Sequence, residues 1–270
     1  LQDLMHLLLR PQCPSVVTYH SDIVKQRFIL PFYRPLMQRF LTSVDHIVAT
    51  SSSYKQTSPV LCRYTEKTSV IPIGVRDREE PAKANLQKWR ATVGEGFFLF
   101  IGVLRYYKGL PFLIDAARRT GLPVIVAGDG EMRNTLEPTA PPNVTFLGEV
   151  SDADKEALLS LCSTFVFPSH LRSEAFGVSL VEAARAGKPM ISCEIGTGTS
   201  YVNVNGETGL VVQPADVDAL GTAMQQLNAD PECRIRFGRS ARERYERLLR
   251  EQNMCESYLA LYERLSSVAC

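Results

Sequence analysis

Residues 168–187 read PSHLRSEAFGVSLVEAARAG, and the predicted α/β fold rests first on this segment. An apolar run from Leu161 to Phe167, typical of a buried strand, precedes it. A proline and a polar loop carrying Glu174 then lead into a nearly apolar segment that starts at Val178. The order is therefore strand, loop and helix. The predicted helix keeps a narrow polar stripe formed by Ser179, Glu182 and Arg185.

The start of this predicted helix has the character of an anion site. A helix that begins at the carboxyl end of a parallel strand presents free N–H groups and the positive end of its dipole. Gly177 would let a phosphate approach the backbone closely. Glu174 and Glu182 would then accept hydrogen bonds from hydroxyls on either side of the anion, as in a nucleotide sugar. In the alternative interpretation Glu174 is a solvated loop residue and Glu182 pairs with Arg185 on an exposed helix face.

The segment EAFGVSLVEA resembles the E-x-x-x-x-x-x-x-E signature of the retaining, nucleotide-sugar-dependent glycosyltransferases of family 4. The resemblance extends over nearly the whole chain, particularly to bacterial enzymes that build surface polysaccharides. It implies an α/β fold of GT-B type with two Rossmann-like domains and parallel sheets. By this resemblance Glu174 contacts the transferred sugar and Glu182 holds the ribose. The backbone at Phe176, Gly177 and Val178 faces the sugar and the diphosphate.

The composition is that of an ordinary globular protein, with 45% hydrophobic and 22% charged residues. The seven cysteines include no C-x-x-C pair, so neither a disulfide framework nor a zinc site is indicated. A reducing, cytoplasmic location is expected. The sequence has no apolar run of about 18 residues, the length needed to cross a membrane.

The chain divides into three predicted parts. Residues 1–76 hold only about three strands, fewer than an independent α/β domain, so we expect an incomplete acceptor-side domain whose first segment, about a hundred residues, precedes this numbering. Residues 77–250 alternate strands and helices, as a parallel sheet covered on both faces does, and form the nucleotide-sugar-binding domain. The polar stretch 71–89 is predicted to link the two. By resemblance, the last helix, 251–270, crosses back to the first domain.

The predicted first domain is basic. Residues 1–76 hold nine Lys or Arg against four Asp or Glu, whereas the rest of the chain holds 21 against 25. The amphipathic stretch Phe32 to Leu41, preceded by Lys25 and Arg27, could meet an anionic membrane surface, although such an apolar face more often belongs to a core. The resembling family commonly uses lipid-linked acceptors. Peripheral contact with the inner face of the membrane is therefore kept as an expectation.

Three further candidates lie at predicted strand ends. His20 leaves the strand PSVVTYH where the crevice of an open α/β sheet lies, and by resemblance it sits beside the transferred sugar. The alternative is a turn histidine satisfied by Asp22. In GVLRYYKG, Arg105 and Lys108 would bind a diphosphate, unless the loop is merely solvated. The family usually has G-R-L-x-x-x-K-G here, so Lys108 matches, but Val103 occupies the arginine position.

The loop LGEVSD is, by resemblance, where the nucleobase binds. The backbone of Val150 and the carboxylate of Asp152 would meet a base edge, and a carboxylate suits the N–H donors of guanine better than the acceptors of uracil. A GDP-sugar is therefore favoured over a UDP-sugar. Ser151 and Asp154 also form a predicted capping box, which explains the acidic residues equally well. Both D-x-D strings, one here and one at 216–218, fall at predicted helix starts and are interpreted as caps, so no metal is expected.

These features and the resemblance together predict a retaining hexosyltransferase, mannose-type favoured, that transfers from a nucleotide diphosphate sugar to a glycan or lipid-linked acceptor in lipopolysaccharide or related synthesis. No cofactor and no nucleic acid are expected. By resemblance, a donor phosphate oxygen takes the acceptor proton, while the protein stabilises the diphosphate charge. The predicted catalytic residues are Glu174, His20 and Lys108. Two alternatives remain open: a GT-B-like sugar-nucleotide 2-epimerase, and a nucleotide-binding module that is inactive as this fragment.

Overall fold

A computed structural model of the chain describes residues 2–9, 12–23 and 30–268. The first part of this described chain contains a three-stranded parallel sheet in the order β1-β2-β3. Its helices and strands are α1 Gln2–Leu9, β1 Val16–Tyr19, α2 Leu30–Ser43, β2 His46–Ala49, α3 Ser52–Thr57 and β3 Thr68–Val70.

The second part contains a six-stranded parallel sheet in the order β6-β5-β4-β7-β8-β9. Counted from β4, this is the 3-2-1-4-5-6 order of a doubly wound sheet, which reverses between β4 and β7. The α/β class with parallel sheets is confirmed. Its elements are α4 Lys83–Val93, β4 Phe98–Ile101, α5 Leu110–Thr120, β5 Val124–Ala127, α6 Arg133–Leu136, β6 Val144–Gly148, α7 Asp152–Leu161, β7 Thr164–Phe167, α8 Val178–Arg185, β8 Met190–Cys193, α9 Thr199–Val202, β9 Gly209–Val212, α10 Val217–Ala229, α11 Pro231–Arg244 and α12 Glu251–Val268.

The larger sheet is rigid because both of its faces are packed. All four residues of β4 are buried, as are those of β5, β7 and β8. Along β4, Leu99 and Ile101 face the cluster that includes α7 and α8, while Phe98 and Phe100 face the cluster that includes α5 and α10. Each fully buried side chain of this size contributes about 1.5–3 kcal/mol. The loops at the carboxyl ends of β4 and β7 are therefore anchored to a well-packed sheet.

The chain passes between the two sheets twice, and the two passages lie side by side. The Val75 N–H donates to the Leu249 carbonyl at 3.0 Å, and the Glu251 N–H donates to the Val75 carbonyl at 2.9 Å. Beyond this point α12 covers the first sheet, where its Leu261 is buried. No helix in the described part of the chain is long and apolar enough to cross a bilayer.

The stretch 71–89, predicted as a linker, is partly helical. Its second half enters α4 at Lys83, because Trp89 is buried and its indole Nε1 donates to Asp154 at 2.7 Å. In the first domain, helix α3 ends at Thr57, because Ser58 precedes a proline and a residue in that position disfavours helical torsions. A 3₁₀ turn at Leu61–Arg63 follows.

The apolar face predicted on Phe32 to Leu41 is also different. Met37 and Leu41 are buried, but Phe32 is 85% exposed, so the buried face of α2 does not include it. The basic residues predicted to accompany this helix, Lys25 and Arg27, lie outside the described residues.

Candidate active site

The switch point of the larger sheet brings together the two loops that carry the predicted donor-binding residues. After β4 the chain makes a 3₁₀ turn, Tyr106–Lys108, and after β7 it runs through residues 168–177 to α8. A Cβ on Gly109 would lie 1.9 Å from the Pro168 carbonyl oxygen, so the loops touch where only glycine fits. Ligands of doubly wound sheets bind in the crevice where such loops diverge.

Lys108 and Glu174 form an ion pair at this point. The Lys108 Nζ lies 2.6 Å from Glu174 Oε2, and each side chain is only 12% exposed. Ser169 Oγ donates to the same oxygen at 3.3 Å, and the ammonium lies 4.6 Å from the Phe167 ring centroid. The interpretations of Glu174 as a solvated loop residue and of Lys108 as part of a solvated basic loop are therefore wrong. Arg105, by contrast, is exposed, and no described residue forms an ion pair with it.

The start of α8 lies beside this ion pair. The helix begins at Val178, as predicted, after Gly177 in the left-handed conformation with φ 87°. A Cβ on Gly177 would lie 3.1 Å from Leu180 Cδ1 and 3.3 Å from Phe167 Cε1. Within the described residues no side chain caps the helix, and Val178 is 43% exposed. The positive end of the α8 dipole is therefore accessible.

Glu182, one turn further along α8, is bound by Lys155 of α7. Lys155 Nζ lies 2.7 Å from Glu182 Oε1 and 3.0 Å from Asp152 Oδ1. Burial opposes the charge on Lys155, but the two carboxylates outweigh it and raise the lysine pKa. Arg185 pairs instead with Glu156. The alternative in which Glu182 pairs with Arg185 is therefore wrong.

The loop before α7 matches its predicted capping role. Ser151 Oγ accepts from the Asp154 N–H at 3.1 Å, and Val150 packs against the core beside α7. Asp152, which begins α7, is 97% exposed, and the hydrogen bond from Lys155 lowers its pKa. The second D-x-D string also starts a helix, α10. Across the described ranges no three His, Cys, Asp or Glu side chains cluster as a metal site requires.

His20 lies at the carboxyl end of β1, in the first domain, and is exposed. Asp22 forms no hydrogen bond with His20. The Asp22 carboxylate accepts instead from the Tyr19 hydroxyl at 3.1 Å and from Ser58 Oγ at 2.7 Å. Ala175, the neighbour of Glu174, is buried in the same apolar cluster as Tyr19, the neighbour of His20. Each of the two predicted sugar contacts is therefore adjacent in sequence to a residue of one core that spans the domain boundary.

Sequence reasoning missed two residues of this region. Lys155 lies three residues after Asp152 on α7, a spacing that indicates an ion pair on a helix, but its bond to Glu182 depends on how α7 and α8 pack. Arg172 lies in the loop 168–177 between β7 and α8, called the site loop below, and its partner Asp22 is far away in sequence. No local pattern could have joined them.

Comparisons with known proteins bear on this arrangement. The family model described as glycosyl transferases group 1 matches residues 82–244, and the model described as glycosyltransferase family 4 matches residues 3–79. The D-rhamnosyltransferase WbpZ of Pseudomonas aeruginosa is 54% identical over 253 residues, which cover 91% of this chain and 66% of that protein. The O-antigen chain mannosyltransferase C of Escherichia coli is 47% identical over 268 residues, covering 97% and 72%. The chain thus spans roughly two thirds of the length of these relatives.

Solved structures agree in fold. Anabaena Alr3699/HepE in complex with UDP superposes with a TM-score of 0.81 at 19% identity, covering 97% of this chain and 75% of that chain. The sucrose-phosphate synthase of Thermosynechococcus elongatus gives 0.84 at 23% identity, covering 98% and 72%. These similarities confirm the predicted GT-B architecture.

Proposed function

The chain belongs to the glycosyl transferases group 1 family, as its E-x-x-x-x-x-x-x-E motif indicated, and from that premise we propose that the protein transfers a hexose from a nucleotide diphosphate sugar to a glycan of a bacterial surface polysaccharide. One observation carries the proposal. The Lys108 and Glu174 pair lies beside the accessible start of α8, at the switch point of a doubly wound sheet.

The diphosphate of the donor binds at the start of α8. Backbone N–H groups in the first turn and the ammonium of Lys108 supply charge-assisted hydrogen bonds to its oxygens, and Gly177 leaves room for the approach. Lys108 then exchanges part of its contact with Glu174 for a phosphate oxygen. This releases the Glu174 carboxylate to accept from hydroxyls of the donor sugar.

The transfer proceeds with retention at the anomeric carbon. A donor phosphate oxygen takes the proton of the acceptor hydroxyl while the bond between sugar and phosphate breaks and the new glycosidic bond forms on the same face. Lys108 and the α8 dipole stabilise the charge that develops on the leaving diphosphate, and exposed Arg105 adds a second cation. Glu174 orients the sugar and is not a nucleophile. Since the protein supplies the positive charge, the proposal needs no metal ion.

The nucleotide is a GDP and the sugar is of mannose type. The exposed carboxylate of Asp152 suits the N–H donors of guanine, beside the backbone of Val150, and Glu182 binds the ribose. Lys155, which joins Asp152 to Glu182, links the base and ribose contacts. The name of one relative, an O-antigen chain mannosyltransferase, supports the choice of sugar.

The acceptor is a glycan or a lipid-linked glycan that reaches His20 from the first domain. Exposed apolar side chains on α1 and α2 provide a surface for peripheral contact with the inner face of a membrane: Leu8 and Leu9 are each 70% exposed and Phe32 is 85% exposed. Arg34 and Arg39 on α2 are exposed as well and suit anionic lipid. The proposed location is therefore the cytoplasmic side of the membrane.

Product analysis with radiolabelled GDP-mannose tests the function. The protein is incubated with the donor and an oligosaccharide acceptor, with the Glu174→Gln variant as control. Transfer to a larger glycan by the wild type, and its loss in the variant, is the expected result. A free sugar-nucleotide isomer would indicate the 2-epimerase alternative. Binding without any conversion would indicate a nucleotide-binding module.

A further inference from the structure

The loop that carries Glu174 is held by the first domain through one arginine. The guanidinium of Arg172 donates to Asp22 Oδ2 at 3.3 Å and to Thr57 Oγ1 at 3.1 Å, both in the first domain. Its Nη1 also donates to the Gly196 carbonyl of the second domain at 2.7 Å. The planar fork of arginine suits this simultaneous contact, which a lysine could not reproduce.

Asp22 is held in place by hydrogen bonds other than its contact with Arg172. Its side chain is 12% exposed and accepts from the Tyr19 and Ser58 hydroxyls, while its N–H donates to the Tyr54 hydroxyl. Burial, and then the neighbouring carboxylate, raise the pKa of Tyr19, so its hydroxyl remains a donor. The guanidinium of Arg172 also lies 5.3 Å from the Tyr54 ring centroid. The first domain therefore holds the Asp22 carboxylate in place as a hydrogen-bond acceptor for Arg172.

Gly198, two residues after the Gly196 carbonyl that binds Arg172, packs directly on the loop 168–177. The Gly198 N–H donates to the Ala175 carbonyl at 2.9 Å. A Cβ on Gly198 would lie 2.4 Å from Phe176 Cδ2, so this approach requires glycine. Through Gly196, Arg172 thus joins the first domain to the backbone on either side of Glu174.

We propose that Arg172 is a positioning residue for the transfer, a role that rests on the proposed function. By joining Asp22 to the loop after β7, it places Glu174 at the donor sugar only while the two domains are in contact. Recognition of the sugar is thereby coupled to domain closure, which excludes water from the donor during transfer. Binding of the nucleotide, which uses the second domain alone, does not depend on it.

The test compares two ion pairs that connect different parts of the chain. Arg172→Gln, Asp22→Asn and the double variant remove the pair beside Glu174. Asp77→Asn removes a control ion pair at the domain linker, between Asp77 and Arg242, which includes no residue of the loop 168–177. Melting temperature and circular dichroism establish that each variant folds. The measurements on the full chain are kcat, donor KM, the affinity for GDP and for GDP-mannose, and the ratio of donor hydrolysis to transfer.

We expect kcat to fall about ten- to a hundredfold in either single variant, with no further loss in the double variant, because a small misplacement of the sugar suffices. The affinity for GDP should change by less than about twofold, whereas the extra affinity contributed by the sugar should fall and the ratio of hydrolysis to transfer should rise. Arg172→Lys should restore only part of the loss.

Additive effects of the two variants, or a loss no larger than that of Asp77→Asn, would overturn the positioning role. A wild type that binds GDP-mannose no more tightly than GDP and transfers nothing would instead overturn the proposed function. The two failures are therefore distinguishable, because the first leaves wild-type transfer intact.

Discussion

Lys108 holds a position that stability alone does not explain. An ion pair that is largely removed from water gains little over an apolar pair, because the desolvation of both charges offsets their attraction. Here the ammonium also sits 4.6 Å from the Phe167 ring centroid and beside the start of α8. Placing a cation there makes chemical sense if a second anion joins Glu174 when the donor binds.

Replacing Lys108 with methionine should lower turnover in addition to the loss of stability that follows from leaving the buried Glu174 carboxylate without its partner. We expect kcat to fall about 100- to 1,000-fold, the usual effect of removing one charge-stabilising donor. Lys83→Met, which removes an exposed lysine at the start of α4, is the matched control and should keep wild-type turnover. Steady-state transfer from GDP-mannose measures both, and equal rates in the two variants would contradict the role given to Lys108.

Gly177 allows a second prediction at the residue scale. Its φ of 87° disfavours any other residue, and a Cβ at this position would crowd the side chains of Leu180 and Phe167. Gly177→Ala should cost about 1–2 kcal/mol of unfolding free energy and weaken GDP binding, because the start of α8 must shift. Gly121→Ala, where φ is 69° but nothing lies within 4 Å, should cost stability without affecting GDP. Denaturant unfolding and calorimetric titration of GDP separate the two effects, and unchanged GDP affinity in Gly177→Ala would contradict the assignment.

At the scale of elements, α12 covers a histidine of the first sheet. His46 is 8% exposed, and its Nε2 lies 2.9 Å from Ser69 Oγ. Burial, followed by the positive charges of Arg264, Lys55 and Lys67, lowers the His46 pKa below its ordinary value of 6.5. When the pH falls through 6.5, the histidine is protonated in the unfolded chain but remains neutral in the folded protein. Stability is then lost below about pH 6.5 and is unaffected above it.

His46→Gln should accordingly reduce the fall in unfolding free energy between pH 7 and pH 5.5, because the glutamine does not titrate. Arg264→Gln should also reduce this fall in unfolding free energy, but by less, since it removes only one of the charges that lower the His46 pKa. Urea unfolding at the two pH values measures the difference. The same pH dependence in wild type and His46→Gln would contradict this account of α12.

Most elements could be predicted from the sequence because their patterns are local. The apolar strands and the start of α8 at Val178 follow from runs of side chains and one glycine. The helical half of the linker was missed because Trp89 is fixed by Asp154, a partner 65 residues away. The exposure of Phe32 could not be predicted, because periodicity does not reveal what the neighbouring element covers.

Residues of the candidate site could be predicted from the sequence, but most of their partners could not. Lys108 and Glu174 could be proposed because each follows a strand, and the sheet order then brings them together. The partners of Asp152 and Glu182 could not be proposed, since Lys155 reaches both only through the packing of α7 on the sheet. Resemblance gave these residues roles but could not indicate which of them are already paired.

At the level of the whole molecule, two sheets are joined by a double crossing of the chain, and the proposed donor site lies on the second. GDP at about a hundred times its dissociation constant should then stabilise the folded state by about 2.7 kcal/mol, a rise of about 5–10 °C in melting temperature. UDP at the same concentration should give a smaller rise, because its base offers acceptors to Asp152. Differential scanning fluorimetry measures both, and a larger shift with UDP would contradict the choice of base.

The central claim is that the diphosphate binds between Lys108 and the first turn of α8. A crystal structure of the chain with bound GDP-mannose tests it most directly. We expect phosphate oxygens at about 3 Å from Lys108 Nζ and from the backbone N–H groups at Val178, with Glu174 facing the sugar. A nucleotide bound elsewhere, with the Lys108 and Glu174 ion pair unchanged and no phosphate near α8, would contradict it.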